Sequence, residues 1–203
     1  MARDVQLKKV YAWEKLAYPG YWTDGLLTRE GVRALIWKVH QDVRDAGGVA
    51  CEPRLIDIKF TKRKRGSACA SWGSFNFNPT CMPVCLVLHE IAHSLTWGTP
   101  DLPRRDAEGH GARYVACMIA LLEHYAGRPA EPAIKLAGWF EMAGPPRRGA
   151  LKGIETRPDG RKFAVYEAIQ TTRQTSVSIS AVALQYWRGI FAASSAAQRR
   201  QGA

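Results

Sequence analysis

The residues with the clearest chemical potential stand together in the run His89-Glu90-Ile91-Ala92-His93. On a helix, residues at i and i+4 lie one above the other, so both imidazoles can reach one metal ion. Glu90 is turned from that face by about 100°, yet stays near enough to serve as base toward a water activated by the metal. Zinc is the expected ion, because a catalytic zinc takes three protein ligands and leaves a fourth position for water. The third ligand must follow downstream, where Asp106, Glu108 and His110 are the candidates. A metzincin would carry Gly and His where Thr96 and Thr99 stand, so that ligand pattern is excluded. A closed structural site using Cys81 and Cys85 with the two histidines would leave Glu90 without a role. It is also disfavoured by position, since Cys81 precedes the helix and Cys85 is a full turn from His89.

Positioning these groups requires particular elements. Pro83 suits the first turn of a helix that Val84 to Trp97 continues up to Gly98. Val84, Leu86, Val87, Leu88, Ile91, Ala92 and Leu95 surround its axis, so the helix is expected to be buried and to carry its polar trio into the interior. A polar loop over 99–108 leads to a second helix, from about Gly109 to Tyr125, which packs Tyr114, Val115, Met118, Leu121 and Leu122 and is closed by Gly127. His110 stands at its start, where a loop can swing it back onto the first helix. Arg113, Tyr114 and His124 are candidates for stabilising an oxyanion, with Tyr114 also readable as core packing and His124 as a surface residue.

Upstream, Thr28 to Ala46 reads as a helix with Thr28 as N-cap, Val32, Leu35, Ile36, Val39 and Val43 on one face, and Gly47-Gly48 as the stop. Leu55 to Phe60 alternates like a half-buried strand. Ala68–Trp72 and Ser74–Asn78 read as further strands broken at Gly73, and Ser71 to Asn78 as an edge able to align an extended peptide. Residues 1–27, rich in aromatics, read as irregular or briefly helical structure draped over a core. Residues 130–143 read as one more short helix.

In His89–His93, the connecting loop, and then His110-Gly111 followed by the aromatic Tyr114, the chain resembles the SprT-like zincin metallopeptidases. It is also similar to a related group of small metallohydrolases of bacteria and phages. The resemblance spans roughly Leu55 to Tyr125. It implies an α+β fold, a zincin-like catalytic domain whose small antiparallel or mixed sheet packs on the motif helix. It further implies Zn2+ held by His89, His93 and His110, Glu90 as catalytic base, and a protein or peptide substrate. Glu108 in the place of His110, in the gluzincin manner, is the alternative. The zinc ribbon that some SprT-like proteins carry at the C-terminus has no CxxC pair to form it here.

The 203 residues suffice for one ordinary domain and an appendage, expected as 1–143, a linker over 144–149, and a small, mainly helical extension over 150–203. No stretch of eighteen or more apolar residues suggests a membrane span, and the first residues lack the apolar run of a signal peptide. The five cysteines are an odd number without a CxxC pair, and read as reduced, mostly buried thiols. The expected setting is the cytoplasm of a bacterium or of a phage-infected host. The seven tryptophans are expected to supply much of the core.

A net charge of +11 favours polyanions such as nucleic acid, although it also serves as a basic solubility surface. Lys62-Arg63-Lys64-Arg65 reads as a solvated turn or a phosphate contact. Farther on, Arg157 to Phe163 reads as a turn into a strand, Val165 to Arg173 as a short helix and Ser178 to Phe191 as a second helix. Two short helices there would resemble a small helix-turn-helix, with Arg173, Gln185 and Arg188 as base or phosphate contacts. Two functions therefore stand side by side. One is a zinc-dependent hydrolase, a peptidase acting on nucleic-acid-associated proteins. The other is a nucleic-acid-binding protein whose metal site is structural or degenerate.

Overall fold

A computed structural model describes residues 7–21, 23–62, 68–96, 109–138, 140–143, 147–156, 162–169, 172–175 and 179–201. Among them are six α-helices and a three-stranded mixed sheet, so the class is α+β as expected. None of the helices is long and apolar enough to cross a membrane. The chain divides into two compact units, one of residues 1–138 with 177–203 and one of residues 139–176.

In the first unit, α1 (Leu7–Ala17) is a full helix where irregular or briefly helical structure was expected. Val10 and Trp13 bury one face, and the Trp13 indole donates to the Ala133 carbonyl at 2.9 Å, which docks α1 on α5 (Ala130–Gly138). Helix α2 (Arg29–Asp45) begins at Thr28, whose hydroxyl accepts from the Gly31 amide at 3.1 Å. It ends where Gly47 adopts a φ of +76°, a conformation that only glycine enters without steric cost.

The sheet order is β1-β3-β2, with β1 (Asp57–Phe60) parallel to β3 (Ser74–Phe77), and β2 (Ala68–Ser71) antiparallel to it. The expectation that 71–78 forms the sheet edge is thus corrected: β3 is the central strand. It also carries the sheet's buried residues, Phe75 and Phe77, which is why it is central. The outer position beside the motif helix belongs to β2. At the β2–β3 turn Gly73 holds a φ of +65°, and its amide donates to Ser94 Oγ at 3.2 Å, fastening the sheet to that helix.

Helix α3 (Val84–Thr96) buries every residue from Cys85 to Ala92, as its all-round apolar sequence requires. Helix α4 (Ala112–Ala126) buries everything from Tyr114 to Leu122 and is capped by Gly127 at φ +60°. It packs against α3, α5 and α6 (Ala181–Gln201). The core is therefore chiefly aliphatic and lies around α3 and α4. Among the described tryptophans, Trp13 and Trp187 are buried, whereas Trp37 is 46% exposed; Trp22, Trp97 and Trp139 lie outside the described residues.

The second unit holds two antiparallel pairs. β4 (Phe140–Ala143) pairs with β7 (Thr172–Thr175), and β5 (Arg147–Thr156) with β6 (Lys162–Ile169), the latter with register shifts between Arg148 and Gly153. Three expectations change here. The helix expected to reach residue 143 stops at Gly138. Of the linker expected at 144–149, Arg147 to Gly149 belong to β5, and residues 144–146 lie outside the described residues. Val165 to Arg173, expected as a helix, contributes Val165–Ile169 to β6 and Thr172–Arg173 to β7. The helix-turn-helix is not formed, because its first helix is strand and its second, within α6, packs on α4 and α2 of the first unit. The extension expected over 150–203 is thus partly sheet and partly a helix of the larger unit.

Candidate metal centre

Helix α3 presents His89 and His93 one turn apart. The short turn Gly109–Gly111 ahead of α4 brings His110 back to them. Each of the three offers a ring nitrogen, and these nitrogens lie within 4.8 Å of one another. The three rings pack closely, with centroid separations of 4.8 Å for His89–His93, 4.6 Å for His93–His110 and 5.4 Å for His89–His110. Glu90 is buried beside them on α3. The trio named from the motif and its resemblance is therefore brought together. Asp106 and Glu108, the other candidate ligands, lie outside the described residues. Neither Cys81 nor Cys85 joins the group, and among the described residues no other cluster of three such side chains offers a metal site.

The donor geometry fits a small divalent ion. Two imidazole nitrogens bound to a tetrahedral zinc at 2.0–2.1 Å stand about 3.3 Å apart. The Nε2 atoms of His89 and His93 are 3.2 Å apart. His89 donates from Nδ1 to Glu14 Oε1 at 2.8 Å, inside the protein, which leaves Nε2 as the lone-pair side. His93 is held by a hydrogen bond to the backbone of Gly109. Two nitrogens so arranged are well placed to share a cation.

The surrounding charges act oppositely on the two rings. Burial alone would lower the His89 pKa, but the charge and hydrogen bond of Glu14, helped by Glu90, carry it above the ordinary histidine value. Burial, together with the neighbouring His89 and His110, pushes His93 well below that value, so its ring is neutral at physiological pH. A neutral imidazole is the form that binds metal.

Glu14, Tyr11 and Tyr21 were not assigned to the site from sequence, and Tyr114 was named there only as an oxyanion candidate or as core packing. Glu14 comes from α1, and its Oε1 also accepts from the Tyr114 phenol at 3.2 Å. Tyr114, readable as core packing, stacks on His93 at 4.5 Å with an interplanar angle of 29°. Burial, then the charge of Glu14, raises the phenol pKa of Tyr114 well above normal, and the same two causes act on Tyr21. Tyr11, one turn before Glu14, stacks on His89 at 5.6 Å and meets His110 edge-on at 5.1 Å. It is 42% exposed and forms the rim of the site. A signal for Glu14 was present: it falls four residues after Val10 and beside Trp13, a carboxylate on an otherwise buried stripe.

The other oxyanion candidates are not supported. Arg113 is exposed, and His124 lies near the far end of α4, about 18 Å along the helix from its start. There His124 stacks on Phe191 at 5.5 Å. No family model, curated protein or solved structure matches the chain.

Proposed function

We propose that the chain is a zinc-dependent hydrolase of zincin type, a peptidase, with His89, His93 and His110 as ligands and Glu90 as the base. The observation that carries this reading is the convergence of the three imidazoles around a 3.2 Å Nε2–Nε2 separation, with Glu90 beside them on the same helix. A zinc ion held there supplies Lewis acidity and brings the pKa of water close to neutrality. The Glu90 carboxylate takes the proton of the attacking water and returns it to the leaving amine. Glu14 holds the His89 ring in the tautomer that keeps Nε2 available. Tyr11, the most exposed of the three phenols around the site, is placed to donate to a substrate oxygen as negative charge grows on it.

The sheet supports a peptide as the substrate. β2 is an outer, antiparallel strand that packs on α3, and such an edge can align an extended chain by main-chain pairing. This arrangement accords with the SprT-like resemblance. The five cysteines are all unpaired, which accords with a cytoplasmic setting.

Metal analysis joined to one substitution tests the reading. The purified chain should bind close to one zinc and cleave an unfolded protein such as casein, and Glu90→Gln should keep the metal while losing cleavage. A chain that takes up no metal after zinc reconstitution overturns the proposal. Metal retention with no cleavage of any amide, in wild type as in Glu90→Gln, would favour the nucleic-acid-binding alternative with a structural site.

A further inference from the structure

Helix α2 carries Arg29, Arg33, Trp37 and Gln41 at four-residue steps, which places them in one stripe. The chain segment over 53–60 runs beside this stripe in the opposite direction. At one end Trp37, Lys38 and Gln41 meet Pro53 and Arg54 around an open cavity of about 470 Å³. At the other end the guanidiniums of Arg33 and Arg29 lie over the Phe60 ring at 4.9 and 5.6 Å from its centroid. The eight helical steps from Arg29 to Trp37 span about 12 Å, so the two ends form one track.

The charges along the track are unevenly satisfied. Lys38 pairs with Asp42, Arg54 with Glu52 and Lys59 with Asp57. Among the described residues no carboxylate forms an ion pair with Arg29, Arg33 or Lys62. In sequence, Lys62 opens the run Lys62-Arg63-Lys64-Arg65, in a chain of net charge +11. An exposed indole beside an open cavity, followed by guanidiniums that have no carboxylate partner among the described residues, sets one stacking surface next to phosphate partners.

We infer that this face of α2 and β1 binds single-stranded nucleic acid, with a base stacked on Trp37 and backbone phosphates on Arg33, Arg29 and Lys62. Planar guanidiniums match phosphate oxygens in pairs, and an aromatic face accepts any base. A duplex hides its base faces from Trp37. The inference stands apart from the metal centre, since none of its residues belongs to that site.

The test is binding of a fluorescein-labelled oligothymidylate to the full chain across a salt series, beside the same sequence in duplex form, polyglutamate, and vesicles of phosphatidylserine and phosphatidylcholine. The single strand should bind most tightly, and binding should weaken with salt. Trp37→Ala should lower affinity about 5- to 150-fold, which corresponds to the stacking of one base, with the salt slope kept and Trp37→Phe restoring most of the loss. Arg29→Gln with Arg33→Gln should reduce the logarithmic salt slope by about 1.4, or about 0.7 per phosphate. All three sites are on the surface, and unchanged thermal unfolding shows that the variants fold. Absence of binding, variants that bind like wild type, or preference for duplex, polyglutamate or vesicles overturns the inference. Glu90→Gln should bind the oligonucleotide as wild type does, so failure here and failure of the hydrolase reading are read separately.

Discussion

Glu14 Oε1 and His89 Nδ1 lie 2.8 Å apart with both side chains buried, and the Tyr114 phenol donates to the same oxygen. One carboxylate therefore orients the His89 ring, a ligand on the proposed reading, and ties it to the helix that follows His110. Partners of this kind contribute 10- to 100-fold to metal affinity. Glu14→Gln should accordingly weaken zinc binding by about that factor, measured by competition with a chromophoric chelator. Tyr114→Phe, which removes the second donor and leaves the His89 contact, should cost less. Equal affinity in Glu14→Gln and wild type would reject the orienting role.

The identity of the third ligand is open to a direct comparison. His110→Ala should lower zinc affinity by more than the roughly 100-fold typical of an outer partner, whereas Glu108→Ala should leave it close to wild type. Stoichiometry after dialysis against a weak chelator distinguishes the two, and the reverse pattern would transfer the ligand role to Glu108.

Tyr11 offers a kinetic prediction. Tyr11→Phe keeps the ring that packs on His89 and His110 and removes only the hydroxyl. If that hydroxyl stabilises developing negative charge, kcat should fall about 10²-fold or more, with metal content unchanged. A rise in KM at constant kcat would instead assign Tyr11 to substrate binding.

Acid stability should depend on His40. This residue is fully buried against Phe75 with neither ring nitrogen hydrogen-bonded, and burial lowers its pKa to about 4. The unfolded chain, with a histidine pKa near 6.5, binds more protons between these values, so stability rises with pH across that window. The contribution is present above about pH 6.5 and is lost as pH falls toward 4, amounting to about 3 kcal/mol. Urea midpoints of wild type and His40→Leu between pH 4.5 and 7 should show a shallower pH dependence in the variant. Parallel curves would reject this account.

The elements that hold the motif were legible because local signals sufficed. Thr28 and Gly47 bound α2, Pro83 opens α3, and Gly127 closes α4, each through backbone chemistry visible at a single residue. The second unit was misread for a different reason. Phe163, Val165 and Ile169 suit a two-residue period, whereas Val165, Ala168 and Ile169 also suit a helical one, and over so short a run periodicity does not decide. Pairing with Arg147–Thr156 decides it, and that pairing is a long-range relation. The position of β3 within its sheet was hidden in the same way, since strand order depends on which strands meet and not on their own residues.

Glu14 and His89 are separated by 75 residues, and Glu14 and Tyr114 by 100. During synthesis α1 leaves the ribosome well before the helices it must serve, and the centre is complete only when that early segment folds back. A shortened chain beginning after residue 17 would keep every residue of His89–His93 and His110, yet would have lost the carboxylate that orients His89 and the Tyr11 rim of the candidate site. On the hydrolase reading proposed above, loss of activity on trimming this stretch would therefore register damage to the chemistry itself, even with the motif untouched.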